Sequence, residues 1–167
     1  MLSVLIETRN DEEGLARTLA SLVPAVVEGI VREVIVCDRG SSDQTHRVAE
    51  HAGCSFLASG GVAAGISQAK SEWLMLLEPG ARLASGWTEG VADHTGRVTS
   101  AARFSRSRAN RRPFLSRLFS PRRALEDGLV ITRRQAAALA GSAADAEALA
   151  RGLASRRLEG EILPPKR

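Results

Sequence analysis

One stretch limits what this chain can fold into more than any other. Glu33 is followed by the apolar run Val34-Ile35-Val36-Cys37, then by Asp38, then by Arg39-Gly40-Ser41-Ser42-Asp43-Gln44-Thr45. A continuous β-branched run suits a strand covered on both faces, as in a parallel sheet. Asp38 then falls at the carboxyl end of that strand, and Gly40 and Ser41 form the turn after it. Ser41 and Gln44 have capping-box spacing, and Asp43 adds negative charge to the first turn of the next helix. Open α/β sheets bind ligands outside the carboxyl ends of their strands, which makes Asp38 a candidate binding carboxylate. The other reading, a polar strand end satisfied by neighbouring backbone, is equally open.

The rest of the chain repeats this alternation. Residues 2–6 read as a first strand, followed by Asn10 as N-cap and by Asp11, Glu12 and Glu13 in the first turn of a helix. Leu15, Leu19 and Leu22 give that helix one apolar face, and Pro24 ends or bends it before Gly29. Residues 33–37, 54–58 and 73–77 are the next strands, with helices over 43–51 and about 62–70 between them. The wholly apolar Trp73-Leu74-Met75-Leu76-Leu77 is expected to be central. The order β-α-β-α-β-α-β predicts a right-handed parallel α/β sheet. Beyond it the expectation is a helix over 85–94, strands over 97–104 and 129–132, helices over 133–139 and 143–153, and a last strand or extended tail over 158–163.

At 167 residues, 44% hydrophobic and 25% charged, the chain has the size and composition of one soluble globular domain. No apolar run approaches the roughly 18–20 residues that span a bilayer. The N-terminus lacks a basic n-region and runs straight into Glu7, so a strand rather than a signal peptide is expected. Cys37 and Cys54 lack metal-ligand spacing and fit a reducing cytosol, and the histidines His46, His51 and His94 are scattered. The expected location is therefore cytoplasmic.

Positive charge is concentrated. Between Asp93 and Glu126 there is no acid but there are nine arginines, which implies an anionic partner or a solvated loop. Between Pro113 and Pro121, Phe114, Leu115, Leu118 and Phe119 stand at helical spacing. A short amphipathic helix there would suit an anionic membrane surface, so segment 103–123 is a candidate for peripheral attachment at the inner face of the membrane. A surface loop is the competing reading. Nucleic acid is disfavoured as a partner, because no nucleic-acid motif accompanies the charge.

The ordered series of motifs resembles family 2 glycosyltransferases. The resemblance is carried by Ser3-Val4-Leu5-Ile6-Glu7-Thr8-Arg9-Asn10-Asp11-Glu12, by 34–45, and by Gly65-Ile66, Ala69 and Ser71-Glu72-Trp73-Leu74 up to Glu78. It continues more loosely through 126–134 and Asp145-Ala146-Glu147. It implies a GT-A fold, an α/β nucleotide-binding domain with a mostly parallel central sheet flanked by helices. The chain would be one domain over 1–167, with a nucleotide-binding half over 1–95 and an acceptor-side half over 96–167. The implied activity is transfer of a sugar from a nucleotide-sugar donor to an acceptor, which in this family can be membrane-linked.

By the same resemblance, Thr8 and Asp38 would line the base pocket, with Arg9, Arg39, Gly40 and Ser41 beside them. Glu78 stands where an Asp-x-Asp motif would bind a divalent cation, Mg or Mn, on the diphosphate. Asp145 or Glu147 lies where a general base for the acceptor hydroxyl is expected.

The departures are specific. Pro-x-Tyr-Asn is replaced by Glu7-Thr8-Arg9-Asn10, the second acid of the Asp-Asp-Gly-Ser turn is Arg39, the family's later Arg falls at Val62, and Asp-x-Asp has become Glu78-Pro79-Gly80. Arg9 and Arg39 would project from adjacent strand ends and could take phosphate charge directly. The alternative to a transferase is a catalytically inactive relative acting as a nucleotide-, membrane- or protein-binding module. A dehydrogenase lacks support, because no G-x-G-x-x-G follows the first strand.

Overall fold

Every residue of the strand Trp73–Leu77 is buried, so the sheet that contains it must be covered above and below. A computed structural model, which describes residues 1–107 and 123–165, shows how the chain supplies those covers. In chain order the first described stretch forms β1 (Leu2–Thr8), α1 (Glu12–Val27), β2 (Val31–Asp38), α2 (Thr45–His51), β3 (Ser55–Leu57), α3 (Gly61–Gln68), β4 (Trp73–Leu77), β5 (Arg82–Leu83), α4 (Trp87–Arg97) and β6 (Ala102–Arg106). The second forms β7 (Leu129–Thr132), α5 (Arg133–Ala140), α6 (Ala146–Ala150) and β8 (Arg156–Leu163).

These strands make one sheet in the order β3-β2-β1-β4-β7-β6-β8-β5. It is parallel from β3 to β4. β7 pairs antiparallel with both β4 and β6, and β8 pairs parallel with β6 and antiparallel with β5. The fold is thus mixed α/β, with the expected parallel half and a second half that mixes antiparallel and parallel pairs.

Alternate residues of each central strand serve opposite layers. Val4, Ile6, Met75 and Leu77 cluster with Leu15, Leu19 and Leu22 of α1 and with Trp87 and Val91 of α4. Leu5, Leu74, Leu76, Leu129 and Ile131 cluster with Val62 and Ile66 of α3, Ala136 of α5 and Leu149 of α6. Each aliphatic side chain fully buried this way contributes about 1.5–3 kcal/mol, which is why β4 tolerates no polar residue.

Several local expectations are corrected. Asn10 is not the cap of α1. Asp11 is, its carboxylate accepting from the Gly14 N–H at 2.9 Å, while Asn10 takes a left-handed conformation at φ 51°. The capping box at Ser41 and Gln44 is absent, because α2 starts only at Thr45 and Ser41 is drawn to Asp38 instead. α1 runs through Pro24, whose missing N–H strands only the carbonyl of Ala20, a solvent-exposed residue. The strand expected over 97–104 begins at Ala102, since α4 extends to Arg97. The helix expected over 143–153 is only Ala146–Ala150, started by the Asp145 side chain. The amphipathic helix expected between Pro113 and Pro121 lies outside the described residues.

Two glycines of α4 should respond oppositely to substitution. A Cβ on Gly90 would lie 2.7 Å from the Glu159 carbonyl oxygen of β8, whereas one on Gly96 meets nothing within 4 Å. Gly90→Ala is expected to destabilise by about 1–3 kcal/mol through overpacking. Gly96→Ala is expected to stabilise by up to about 1 kcal/mol through helix propensity. Urea unfolding midpoints of the two variants check both signs.

Candidate functional site

Because β1, β2 and β4 are parallel, their carboxyl ends open on one edge of the sheet. Register puts Thr8 beside Asp38 and Ile6 beside Leu77, so Glu78 follows directly at the end of β4. A cleft of about 350 Å³ opens there. Its walls are Glu7 and Thr8 at the end of β1 with Arg9 and Asp11 after it, Arg39 after β2, Glu78 and Pro79 after β4, Arg123 and Leu125 before β7, and Asp145, Ala146 and Glu147 at the start of α6. A larger cleft of about 570 Å³, lined in part by Ile66, Glu72, Arg133 and Arg134, sits at the opposite end of β4 and gathers no carboxyl ends of the parallel strands.

Of the residues expected from the sequence, Thr8, Arg9, Arg39, Glu78, Asp145 and Glu147 therefore share one cleft. Asp38, Gly40 and Ser41 do not line it. They build the turn that carries Arg39: the Asp38 carboxylate accepts from the N–H groups of Gly40 at 3.1 Å and Ser41 at 2.9 Å and from the Ser41 hydroxyl at 2.5 Å. Gly40 sits at φ 82°, a conformation that favours glycine. The turn is locked to the β1 loop, since Asn10 donates its N–H to Ser41 Oγ at 2.8 Å and its Oδ1 accepts from the Ser42 N–H at 2.7 Å.

The acids of the cleft are turned into backbone. Asp11 caps α1. Asp145 caps α6 through Oδ1, which accepts from the Ala148 N–H at 2.7 Å, and its Oδ2 meets Arg39 at 3.4 Å. Both oxygens of Glu147 accept N–H groups of the chain after Arg123, from Ala124 at 2.6 Å and Leu125 at 2.9 Å. Glu7 Oε2 accepts from the Ala146 N–H at 2.9 Å. Two buried oxygens, Glu7 Oε1 and Thr8 Oγ1, have no hydrogen-bond partner among the described residues. The arginines, by contrast, keep much of their surface in water: side-chain exposure is 48% at Arg39 and 58% at Arg123.

Comparison with known proteins fits this arrangement. The glycosyl transferase family 2 profile matches residues 3–128. The chain belongs to glycosyl transferase family 2. No curated protein matches it in sequence. Glucosyl-3-phosphoglycerate synthase from Mycobacterium tuberculosis, crystallised with Mn2+, UDP and glucosyl-3-phosphoglycerate, superposes with a TM-score of 0.66 at 18% identity, over 100% of this chain and 72% of its own. TarS 1-349 from S. aureus gives 0.66 at 17% identity, over 94% of this chain and 57% of its own. Mannosyl-3-phosphoglycerate synthase from Rubrobacter xylanophilus gives 0.62 at 15% identity, over 81% and 54%. The fold is that of GT-A glycosyltransferases, and family 2 membership makes the chain a sugar-transferring domain.

The place where the resemblance leads one to expect a divalent cation does not fit one in this chain. Glu78 supplies one carboxylate, and Arg123 already stands 3.3 Å from it. Gly80 offers none, and its φ of 87° strains any residue with a side chain. The Gly80 N–H is used internally, donating to the Gly14 carbonyl and to Thr18 Oγ1, both at 2.9 Å. Among the described residues no group of three or more His, Cys, Asp or Glu side chains could hold a metal ion. The histidines lie elsewhere, with His94 bound to the Ser100 carbonyl at 2.7 Å and His46 edge-on to Phe56. Burial pushes the thiol of Cys37 up to about 12 and that of Cys54 up to about 11, so neither is a nucleophile at neutral pH.

Sequence reasoning missed three charged members of the cleft, Glu7, Asp11 and Arg123. Glu7 occupies the place of a family proline, and that departure was its signal. Asp11 was read only as a helix-turn acid. Arg123 was counted within the basic segment, and nothing local separates it from Arg122. Elsewhere the same segment is tied inward. Arg106 pairs with Glu126 at 2.7 Å and Asp127 at 2.6 Å, and Arg103 donates to the carbonyls of Ala124 and Ala150.

Glu78 is held above its ordinary value of 4.5, chiefly by burial, against the opposing pull of Arg123. The folded state therefore binds its proton more tightly than the unfolded state. Stability falls as pH rises from about 4.5 through the raised value, and the penalty is complete above it. Glu78→Gln is expected to raise the melting temperature at neutral pH, with the gain vanishing below about pH 4.5. Paired thermal melts across pH 4 to 8 check this.

Proposed function

We propose that the cleft binds a nucleotide-sugar donor and passes its sugar to a hydroxyl acceptor, with Asp145 taking the hydroxyl proton. The observation that carries this reading is the convergence of Thr8, Arg39, Glu78 and Asp145 on one cleft at the carboxyl ends of the parallel strands. The M. tuberculosis neighbour, whose fold this chain shares, was crystallised with UDP. The two buried oxygens with no partner among the described residues, Glu7 Oε1 and Thr8 Oγ1, suit a base or ribose that brings its own N–H and O–H groups. Asp38 serves this pocket through the turn it holds.

In the transfer step the acceptor oxygen bonds to the anomeric carbon as the bond from that carbon to the diphosphate oxygen breaks. The electron pair leaves on the nucleoside diphosphate and the hydroxyl proton passes to a carboxylate. Asp145 is assigned that role over Glu147, because both Glu147 oxygens already accept backbone N–H groups. Glu147 instead holds the chain beside Arg123.

The acceptor is assigned no further than a hydroxyl compound. The membrane-surface reading rests on segment 103–123, and residues 108–122 lie outside the described residues. Among the described residues no helix is long and apolar enough to cross a membrane. The loss of the second metal carboxylate favours one rival, a module that binds nucleotide without transferring sugar.

Release of nucleoside diphosphate from UDP- and GDP-sugars, with water as acceptor, separates the two readings. The native chain is expected to turn over one donor class. Asp145→Asn, which keeps the helix cap, should lower kcat by about 10²–10⁴-fold with donor KM little changed. A native chain that binds donor but never releases diphosphate would establish the binding module instead.

Thr8→Val tests the pocket separately. It removes a buried hydroxyl with no partner among the described residues, so stability should hold or rise by up to about 1–3 kcal/mol while donor affinity falls. Calorimetric titration beside a thermal melt reads both, and unchanged affinity would take Thr8 out of the site.

A further inference from the structure

We propose that this domain binds the donor's diphosphate without a divalent cation, and that the guanidinium of Arg123 does the work the family gives to the metal. The proposal rests on the donor reading above. Arg123 stands 3.3 Å from Glu78, the carboxylate at the family's metal position, so a fixed positive charge already lies where a cation would be recruited. Arg9 and Arg39 line the same cleft from the ends of β1 and β2. Guanidinium groups match phosphate oxygens with paired N–H donors and are positive at every working pH. They can therefore neutralise the charge that builds on a leaving diphosphate.

The surroundings are built to hold Arg123 in place. Glu147 takes both N–H groups that follow it, at Ala124 and Leu125, and Arg103 takes the Ala124 carbonyl. These bonds anchor the chain directly after Arg123, which lowers the cost of ordering its backbone on binding. Five acids also line the cleft, but Asp11, Asp145, Glu147 and Glu7 each accept backbone N–H groups, and Glu78 faces Arg123. No three of them make a metal shell among the described residues. The exposed charges of the cleft are thus cationic, which suits a diphosphate better than a metal ion.

The test is calorimetric titration of the full chain with UDP and GDP, in excess EDTA and again with Mn2+ or Mg2+. Affinity for one diphosphate is expected to agree within about twofold between the two conditions. Arg123→Gln is expected to weaken diphosphate binding about ten- to a hundredfold, while the matching nucleoside, followed by ligand-observed NMR, binds as before. Because that variant leaves Glu78 without Arg123, the double variant Glu78→Gln, Arg123→Gln must show the same loss in a chain with neither charge. Diphosphate binding that requires Mn2+, or that survives Arg123→Gln intact, overturns the proposal and leaves the donor reading standing. No binding of nucleoside or diphosphate in either condition overturns both.

Discussion

The molecule depends on β4 being buried on both faces. An all-apolar strand at the centre of a sheet must be covered on both sides, and the chain does this with crossover helices between parallel strands. Parallel crossovers put successive strand ends on the same edge, so the residues after β1, β2 and β4 meet without any further device. Glu7 to Asp11, Arg39 and Glu78 are neighbours for that reason alone. The switch to antiparallel pairing at β7 then brings the chain back along β4 toward Trp73, with Arg123 and Leu125 held at the carboxyl-end edge before it.

Within that frame, side chains are divided between holding and presenting. The carboxylates hold: Asp38 the turn after β2, Asp11 the start of α1, Asp145 the start of α6, and Glu147 the chain after Arg123. A carboxylate is the side chain best suited to gathering several loose N–H groups, because it accepts only and accepts strongly. The arginines present. They are long, remain partly hydrated, and gain little from exposed ion pairs such as that between Arg39 and Asp145 at 3.4 Å, so an anionic ligand can recruit them at small cost.

What could be read from the residues follows the same division. Strands and the parallel half of the sheet were legible because β-branched runs and helix periodicity are strong, local signals, and strand 129–132 was placed to the residue. Glu78, Thr8 and Arg39 were expected at strand ends because ordered motifs mark those ends, and they line one cleft there, which Asp145 joins from the start of α6. Caps were misread at Asn10 and Ser41, where polar side chains found partners thirty residues away in sequence rather than in their own helix turn. The short α6 and the inward ties of Arg103 and Arg106 were not legible either, since each depends on a contact across the fold. A basic block looks the same in sequence whether its charges face water, a membrane or an internal carboxylate.

The most consequential of these ambiguities is at Gly80. Read as sequence, Glu78-Pro79-Gly80 falls where the family resemblance leads one to expect a metal motif. Read as structure, it is a turn with its own requirements. Gly80 takes a left-handed conformation, donates its N–H to the Gly14 carbonyl and to Thr18 Oγ1, and so ties the end of β4 to the first turns of α1. Those bonds do not depend on a second carboxylate, and restoring an acid at this position would cost backbone strain in the same turn. A side chain able to serve as a metal ligand at Gly80 and the turn that ties the end of β4 to α1 are in competition, because the turn needs a left-handed residue there. On the proposed donor reading, charge compensation for a diphosphate comes from outside this turn. Arg123 is the side chain that already stands against Glu78.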